Sequence, residues 1–290
     1  MSVLSGEQTE RQVVPIRVVS PRRGWPGLGL GELWRYRELG LAFARRDLTV
    51  RYRQTLLGVS WAILQPLVLT GIFTFVFHKV SGIGTGDSTP YPVFILIGLV
   101  FWQLFVSVLN SVSGSMVGNA NMIQKIYFPR LVLPLSMAIL SLVDFLVALI
   151  LLSVALVYYD AHFTLLSILF IIPLGLVVLA SAMGLGLVLA SLNVKFRDAR
   201  FLTGFLVSLL LFVTPVIYPL SYLDAYPTLR ELILWSNPVA TVITSARAFI
   251  SPDVLTEPFM IVKAIPATIA FLFVGVVVFR KTEDYFADMI

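Results

Sequence analysis

The chain has 290 residues, of which 58% are hydrophobic and only 13% charged. A soluble domain carries about 25% charged residues, so a water-soluble globule is excluded, and the long runs without alternation favour membrane helices over a barrel. Cysteine is absent, which rules out disulfides, thiolate metal sites and Cys nucleophiles; the net charge of +5 fits basic residues retained on a cytoplasmic face better than nucleic-acid binding.

Residues 1–31 are polar and rich in Gly, Pro and Arg, and read as a disordered cytoplasmic arm with no secretory signal peptide. Residues 32–290 read as one membrane domain. Its first piece, from Glu32 to Arg46, puts Leu33, Tyr36, Leu39, Gly40 and Phe43 on one side when wound as a helix. Arg35, Glu38, Arg45 and Arg46 take the other side, and Trp34 and Leu41 fall off the stripe. Such a helix suits the membrane interface. An arginine cluster then ends at Arg53, and no Asp, Glu, Lys or Arg follows until Lys79. That gap is long enough for a span of about 20 residues.

Six spans can be drawn, at about 57–77, 92–112, 131–157, 165–189, 201–217 and 261–279. The fifth is short. With 1–56, 119–130, 192–200 and the tail from Arg280 on one side, that side holds 17 of the 21 Lys and Arg. Basic residues mark the cytoplasm, so both termini are expected there.

The loop 119–130 is short yet carries Met122, Ile123, Ile126, Tyr127 and Phe128. Two readings stand: a docking surface for another protein, or a turn tucked under the bundle. Beyond the fifth span, residues 218–259 hold two apolar stretches, 229–235 and 239–250, each too short to cross. Pro227 and Pro238 precede them, with Asn237 a suitable cap. They read as short helices that dip in from the outer face, tolerated only when buried in protein or lining a cavity.

Catalytic chemistry is hard to find. No phosphate-binding Gly-x-x-x-x-Gly-Lys-Ser/Thr loop occurs, so ATP hydrolysis is not expected of this chain. His78 and His162 make no ligand spacing, and Gly82, Gly84 and Gly86 read as a flexible turn. Asp144 lies near the middle of the third span, where an ionisable group must face protein or water. With no basic partner within a span, a structural hydrogen bond to a neighbouring helix is favoured over a proton or substrate site. Tyr91, Phe94, Phe101 and Phe105 fall in one narrow sector of the second span, with Trp102 at its edge. Such rings serve packing or, less commonly, stack on sugars. Ala180 with Gly184 and Ala182 with Gly186 form small-xxx-small pairs, weakly suggestive of a dimer interface.

Several motifs carry a resemblance. They are Arg45-Arg46-Asp47 with Val50-Arg51-Tyr52-Arg53, then Leu57-Gly58, Trp61 and Gln65-Pro66. Phe128-Pro129-Arg130 with Leu133-Pro134 follows, then Arg197-Asp198, the run Thr214 to Pro219, and Asn237-Pro238. In this order the chain resembles the membrane permeases of type-2 ABC polysaccharide exporters, which carry O-antigen, capsule or teichoic acid. The resemblance covers about 32–285; the long arm departs from it.

The resemblance implies a homodimeric permease in the bacterial cytoplasmic membrane, bound to ATP-binding-cassette ATPase subunits. It implies no cofactor in this chain, with ATP and Mg on the partner. The substrate would be an undecaprenyl-diphosphate-linked glycan. Arg46, Arg51 and Arg53 would attract its diphosphate, as Arg suits phosphate oxygens. Gln124, Lys125, Ile126 and Tyr127 would couple to the ATPase. The aromatic stripe would line a sugar path, and Tyr218, Trp235 and Asn237 would form an outer gate. Two alternatives stay open: a type-2 exporter of a drug or lipid, and a secondary carrier, for which no inverted repeat is visible.

Overall fold

A computed structural model describes residues 30–53, 60–85, 89–161, 165–196, 198–250, 260–283 and 286. The expected arm lies outside these residues except for its last two, and Leu57-Gly58, Gly86, His162 and Arg197 lie outside as well. The described residues are helical, with no strand among them.

The described residues open with α1 (Leu30–Arg35) and α2 (Arg37–Arg53), so the expected interface helix runs on through the arginine cluster. Its stripe behaves as the spacing implied. Leu33, Tyr36, Leu39 and Phe43 pack on the core, while Trp34 and Leu41 stay exposed. The first span is α3 (Ser60–Phe73), which continues as a wider-wound segment, Thr74–Val80. Then come α4 (Tyr91–Gly118), the single turn α5 (Ala120–Ile123), α6 (Val132–Tyr158) and α7 (Leu165–Lys195). The chain ends with α8 (Ala199–Val213), α9 (Pro227–Ser236), α10 (Pro238–Ile250) and α11 (Ala264–Thr282).

Five helices among the described residues are long and apolar enough to cross a membrane: Ser60–Val80, Tyr91–Gly118, Val132–Tyr158, Leu169–Lys195 and Met260–Thr282. The expected fifth span is shorter than drawn. Its helix, α8, stops at Val213. Pro215 forces the preceding Thr214 into an extended conformation (ψ 129°), which breaks the helix. At a 1.5 Å rise per residue, α8 covers roughly 22 Å of an about 30 Å hydrocarbon core.

α4 is the buried centre, and α3, α6, α7, α8 and α10 all touch it. The small residues of α7 are spent inside the protomer. A Cβ at Gly184 would overlap the backbone of Phe271 on α11, and one at Gly275 would overlap Gly184. A Cβ at Gly186 would come within 2.8 Å of Val112 on α4. These glycines therefore serve close crossings of α7 with α11 and α4, and the suggested dimer interface is not where they point.

α2 runs alongside the first turns of α6 in the same direction. Gly40 sits against Val132, and Arg51 and Tyr52 reach Asp144. This places α2, the loop after α4 and the end of α11 at one end of the bundle, the neck end. The far end holds the start of α4, the run 214–219 and the α9–α10 pair.

Candidate functional site

The neck end is built on α2. Three arginines expected to act together are separated by their surroundings. Arg46 pairs with Asp47 (2.8 Å), and its Nη2 donates to Asn119 Oδ1 (3.1 Å), so it ties α2 to the loop after α4. Arg51 Nη2 lies 2.9 Å from Asp144 Oδ2. Arg53 is exposed and makes no hydrogen bond or ion pair among the described residues.

Asp144 therefore has the basic partner that its own span lacks. The partner comes from the neck helix, along with the Tyr52 hydroxyl, which donates to Asp144 Oδ1. The structural reading of Asp144 thus takes the form of an ion pair plus a hydrogen bond. Burial first, then the Asp144 carboxylate, pushes the Tyr52 phenol up to about 12. Tyr52 is thus a neutral donor at physiological pH.

Behind this pair lies a cleft of about 270 Å³ between α2, α3, α4 and α6. Trp61, Gln65, Gln103 and Ser107 line it with the Asp144 group. Ser107 and Ser141 join α4 to α6 through their hydroxyls (2.9 Å).

The loop after α4 divides its apolar residues. Ile123 and Phe128 are buried and Met122 half-buried, with Phe128 edge-on to Phe43 of α2 (5.6 Å between centroids). Gln124, Lys125, Ile126 and Tyr127 are all exposed, Tyr127 by 73%. The loop is divided: half is tucked under the bundle and half is exposed. The presented residues ring a hollow of about 320 Å³ that also touches Arg130. The Arg130 backbone N–H donates to Glu283 Oε1 (3.4 Å), and Glu283 also pairs with Arg280 (2.9 Å). The loop is thereby fastened to the end of α11.

The aromatic stripe of α4 faces inward. Tyr91, Phe94, Phe101 and Phe105 are each at most 3% exposed, and Phe101 lies against Phe145 of α6 (5.6 Å). As packed, none of the four is open to a channel.

At the far end, Tyr218 donates to the Phe212 carbonyl (3.0 Å). Asn237 caps α10, with its Oδ1 accepting from the Val239 and Ala240 amides (3.1 and 3.2 Å). Its Nδ2 donates to Thr214 Oγ1 (2.8 Å). Tyr218 and Asn237 thus bracket the same non-helical run, while Trp235 is half-exposed on α9.

Sequence reasoning missed Arg247 of α10. This buried guanidinium donates to the carbonyls of Phe94 (3.1 and 3.2 Å), Pro215 (2.7 Å) and Val216 (2.6 Å). It also lies 3.4 Å from the centroid of the Phe94 ring. A lone arginine within an apolar stretch was the available signal.

Residues 39–250 match the family described as ABC-2 type transporter. The chain belongs to this family. It is similar to the O-antigen export system permease protein RfbA of Myxococcus xanthus, 30% identical over 267 residues, or 89% of this chain and 98% of that protein. The protein of the same name from Klebsiella pneumoniae is 29% identical over 256 residues, 87% of this chain and 95% of that one. The polysialic acid transport protein KpsM of Escherichia coli is 25% identical over 247 residues, covering 82% and 91%.

As an ABC-2 membrane domain, the chain is a transporter permease, and its relatives support polysaccharide export. The family match spans α2 through α10, so it takes in the neck, the Asp144 cleft, the loop and the far-end run together.

Proposed function

We propose that this chain is the permease subunit of an ATP-driven exporter that moves a lipid-linked surface polysaccharide across the bacterial cytoplasmic membrane. The observation that carries this reading is the near full-length similarity to permeases named for O-antigen export. Two copies would pair in the membrane, with both termini cytoplasmic and the neck end facing the ATPase subunits. An even number of crossings then requires α8 and the extended run 214–219 to complete one together.

In this reading, Gln124, Lys125, Ile126 and Tyr127 dock on the ATP-binding-cassette subunit, which holds ATP and Mg. Their exposure beside a fastened base suits a loop that passes motion inward. Arg53 is the first contact for an undecaprenyl diphosphate, with Arg51 and Arg46 behind it. Tyr218, Trp235 and Asn237 stand at the outer gate. The sugar path is better drawn along α8, whose Phe201, Phe205 and Phe212 share one face and are 79%, 62% and 69% exposed.

Co-purification with a co-expressed ATP-binding-cassette subunit, followed by an ATPase assay, tests the proposal. Tyr127→Ala with Ile126→Asp is expected to uncouple hydrolysis from export while the chain still folds. A lone chain that never retains an ATPase would sink it. Drug or lipid efflux without polymer export would favour the other type-2 exporter.

A further inference from the structure

The cleft beside Asp144 has a composition that membrane packing does not require. Gln103 stands near the middle of α4, one turn before Ser107 of the same wall. Gln65 faces it from α3. Neither amide makes a hydrogen bond among the described residues. Gln65 is exposed and Gln103 half-buried, so both amides are open to whatever enters the cleft. Two such amides around one cleft suit a polar occupant.

The rest of the wall says what that occupant is. Two side-chain amides, two serine hydroxyls and a carboxylate offer mixed donors and acceptors at several angles, which matches a polyhydroxylated ring. Trp61, 53% exposed, supplies an aromatic edge. Arg51 stands at the same wall and holds Asp144, so a phosphate arriving there has a guanidinium within reach. A volume of about 270 Å³ lies just below the usual range for ligand clefts, about 300–1,000 Å³, so one ring fits and a polymer stretch does not.

We propose that this cleft binds a single sugar ring carried next to a phosphate, with Gln65 and Gln103 reading its hydroxyls and Arg51 taking the phosphate. The proposal rests on the lipid-linked polysaccharide reading above and names the reducing-end sugar phosphate as the part recognised. The same chemistry is offered by hydroxylated phospholipid headgroups, so the test separates the two sources.

The full chain is placed in phosphatidylcholine nanodiscs. Its binding to undecaprenyl diphosphate is measured bare and carrying one glucose, galactose or N-acetylglucosamine. At least one glycosylated carrier is expected to bind about tenfold or more tighter than the bare carrier, the effect of one or two satisfied hydrogen bonds. Gln103→Leu is expected to bring that ratio to about twofold while leaving bare-carrier binding unchanged.

Equal binding of bare and glycosylated carriers overturns the cleft assignment and leaves the diphosphate reading standing. No binding of either overturns both. Displacement of the glycosylated carrier by equimolar phosphatidylglycerol makes the cleft a headgroup site and overturns the sugar assignment. Equal weakening of both carriers by Gln103→Leu marks Gln103 as structural and also overturns it.

Discussion

Arg247→Met keeps the length of the side chain and removes every donor. In the wild type the guanidinium serves the Pro215 and Val216 carbonyls at 2.7 and 2.6 Å and lies over the Phe94 ring. Phe94 O accepts from it as well, but sits in a helix whose own ladder remains. The substitution therefore strands two carbonyls of a run that is not helical. At about 1–3 kcal/mol per buried unsatisfied group, with a desolvated cation–π contact of up to about 2, the expected loss is about 3–5 kcal/mol. Arg247→Lys keeps the charge but not the fork, and should recover only part of this. Gly98→Ala attacks the same joint from α4, since its Cβ would come within 2.8 Å of Arg247 Nη2 and 2.9 Å of Val216 O. Reversible unfolding in mixed micelles by sodium dodecyl sulfate gives the free energies, and limited proteolysis near 214–217 reports the loosened run. If Arg247→Met unfolds within about 0.5 kcal/mol of wild type, the carbonyls find other partners and the reasoning fails.

Three further outcomes are expected. Asp144→Asn should lower the Tyr52 phenol from about 12 but leave it above 10.0, because burial is the larger cause; ultraviolet titration against a Tyr52→Phe control reads this. A phenol raised on folding stabilises below its unfolded value and loses that contribution as pH climbs through about 12, so Tyr52→Phe should flatten the alkaline limb of stability. Glu231 is held below the usual carboxylate range, chiefly by its hydrogen bond from Lys263 (2.9 Å). The tie from α9 to Lys263, just before α11, should thus be intact at neutral pH and lost as pH falls from the ordinary Glu value through the lowered one; Glu231→Gln should remove that acid limb, modestly because the residue is partly exposed. Gly275→Leu should cost about 3 kcal/mol or more, since α7 and α11 must separate to admit it; a normal unfolding midpoint would contradict the crossing.

What the sequence made legible was what depends on neighbours along the chain. Long apolar runs located the long helices, although α4 and α7 both run on past the drawn ends, to Gly118 and Lys195. Spacing picked the core-facing side of α1 and α2, down to the exposure of Trp34 and Leu41. Pro227, Pro238 and Asn237 announced α9 and α10 with their cap. What escaped depends on pairs far apart. Asp144 and Arg51 belong to different helices, and nothing local says that α2 lies against α6. Arg247 vanished into an apolar average, although two of its carbonyl partners sit in the run Thr214 to Pro219 that helped carry the resemblance. The spacing of the aromatic stripe of α4 defines a helical sector, and a sector cannot say whether it meets protein or an open path. The same limit applied to Gly184 and Gly186, whose spacing signals close approach but not which helix approaches.

Helix α2 is held at two points about 7–8 Å apart along its axis: Arg46 on the Asn119 loop and Arg51 on Asp144. Between them the helix has no glycine or proline to absorb a bend. Displacing the loop therefore either drags the guanidinium off the carboxylate or breaks the Arg46 bond. Anything that competes for Arg51 bears back on the loop in the same way. Thermodynamic linkage makes the two influences equal in free energy. An anion seated on Arg51 and a protein seated on Tyr127 would each change the other's dissociation constant by the same factor, with no contact between them.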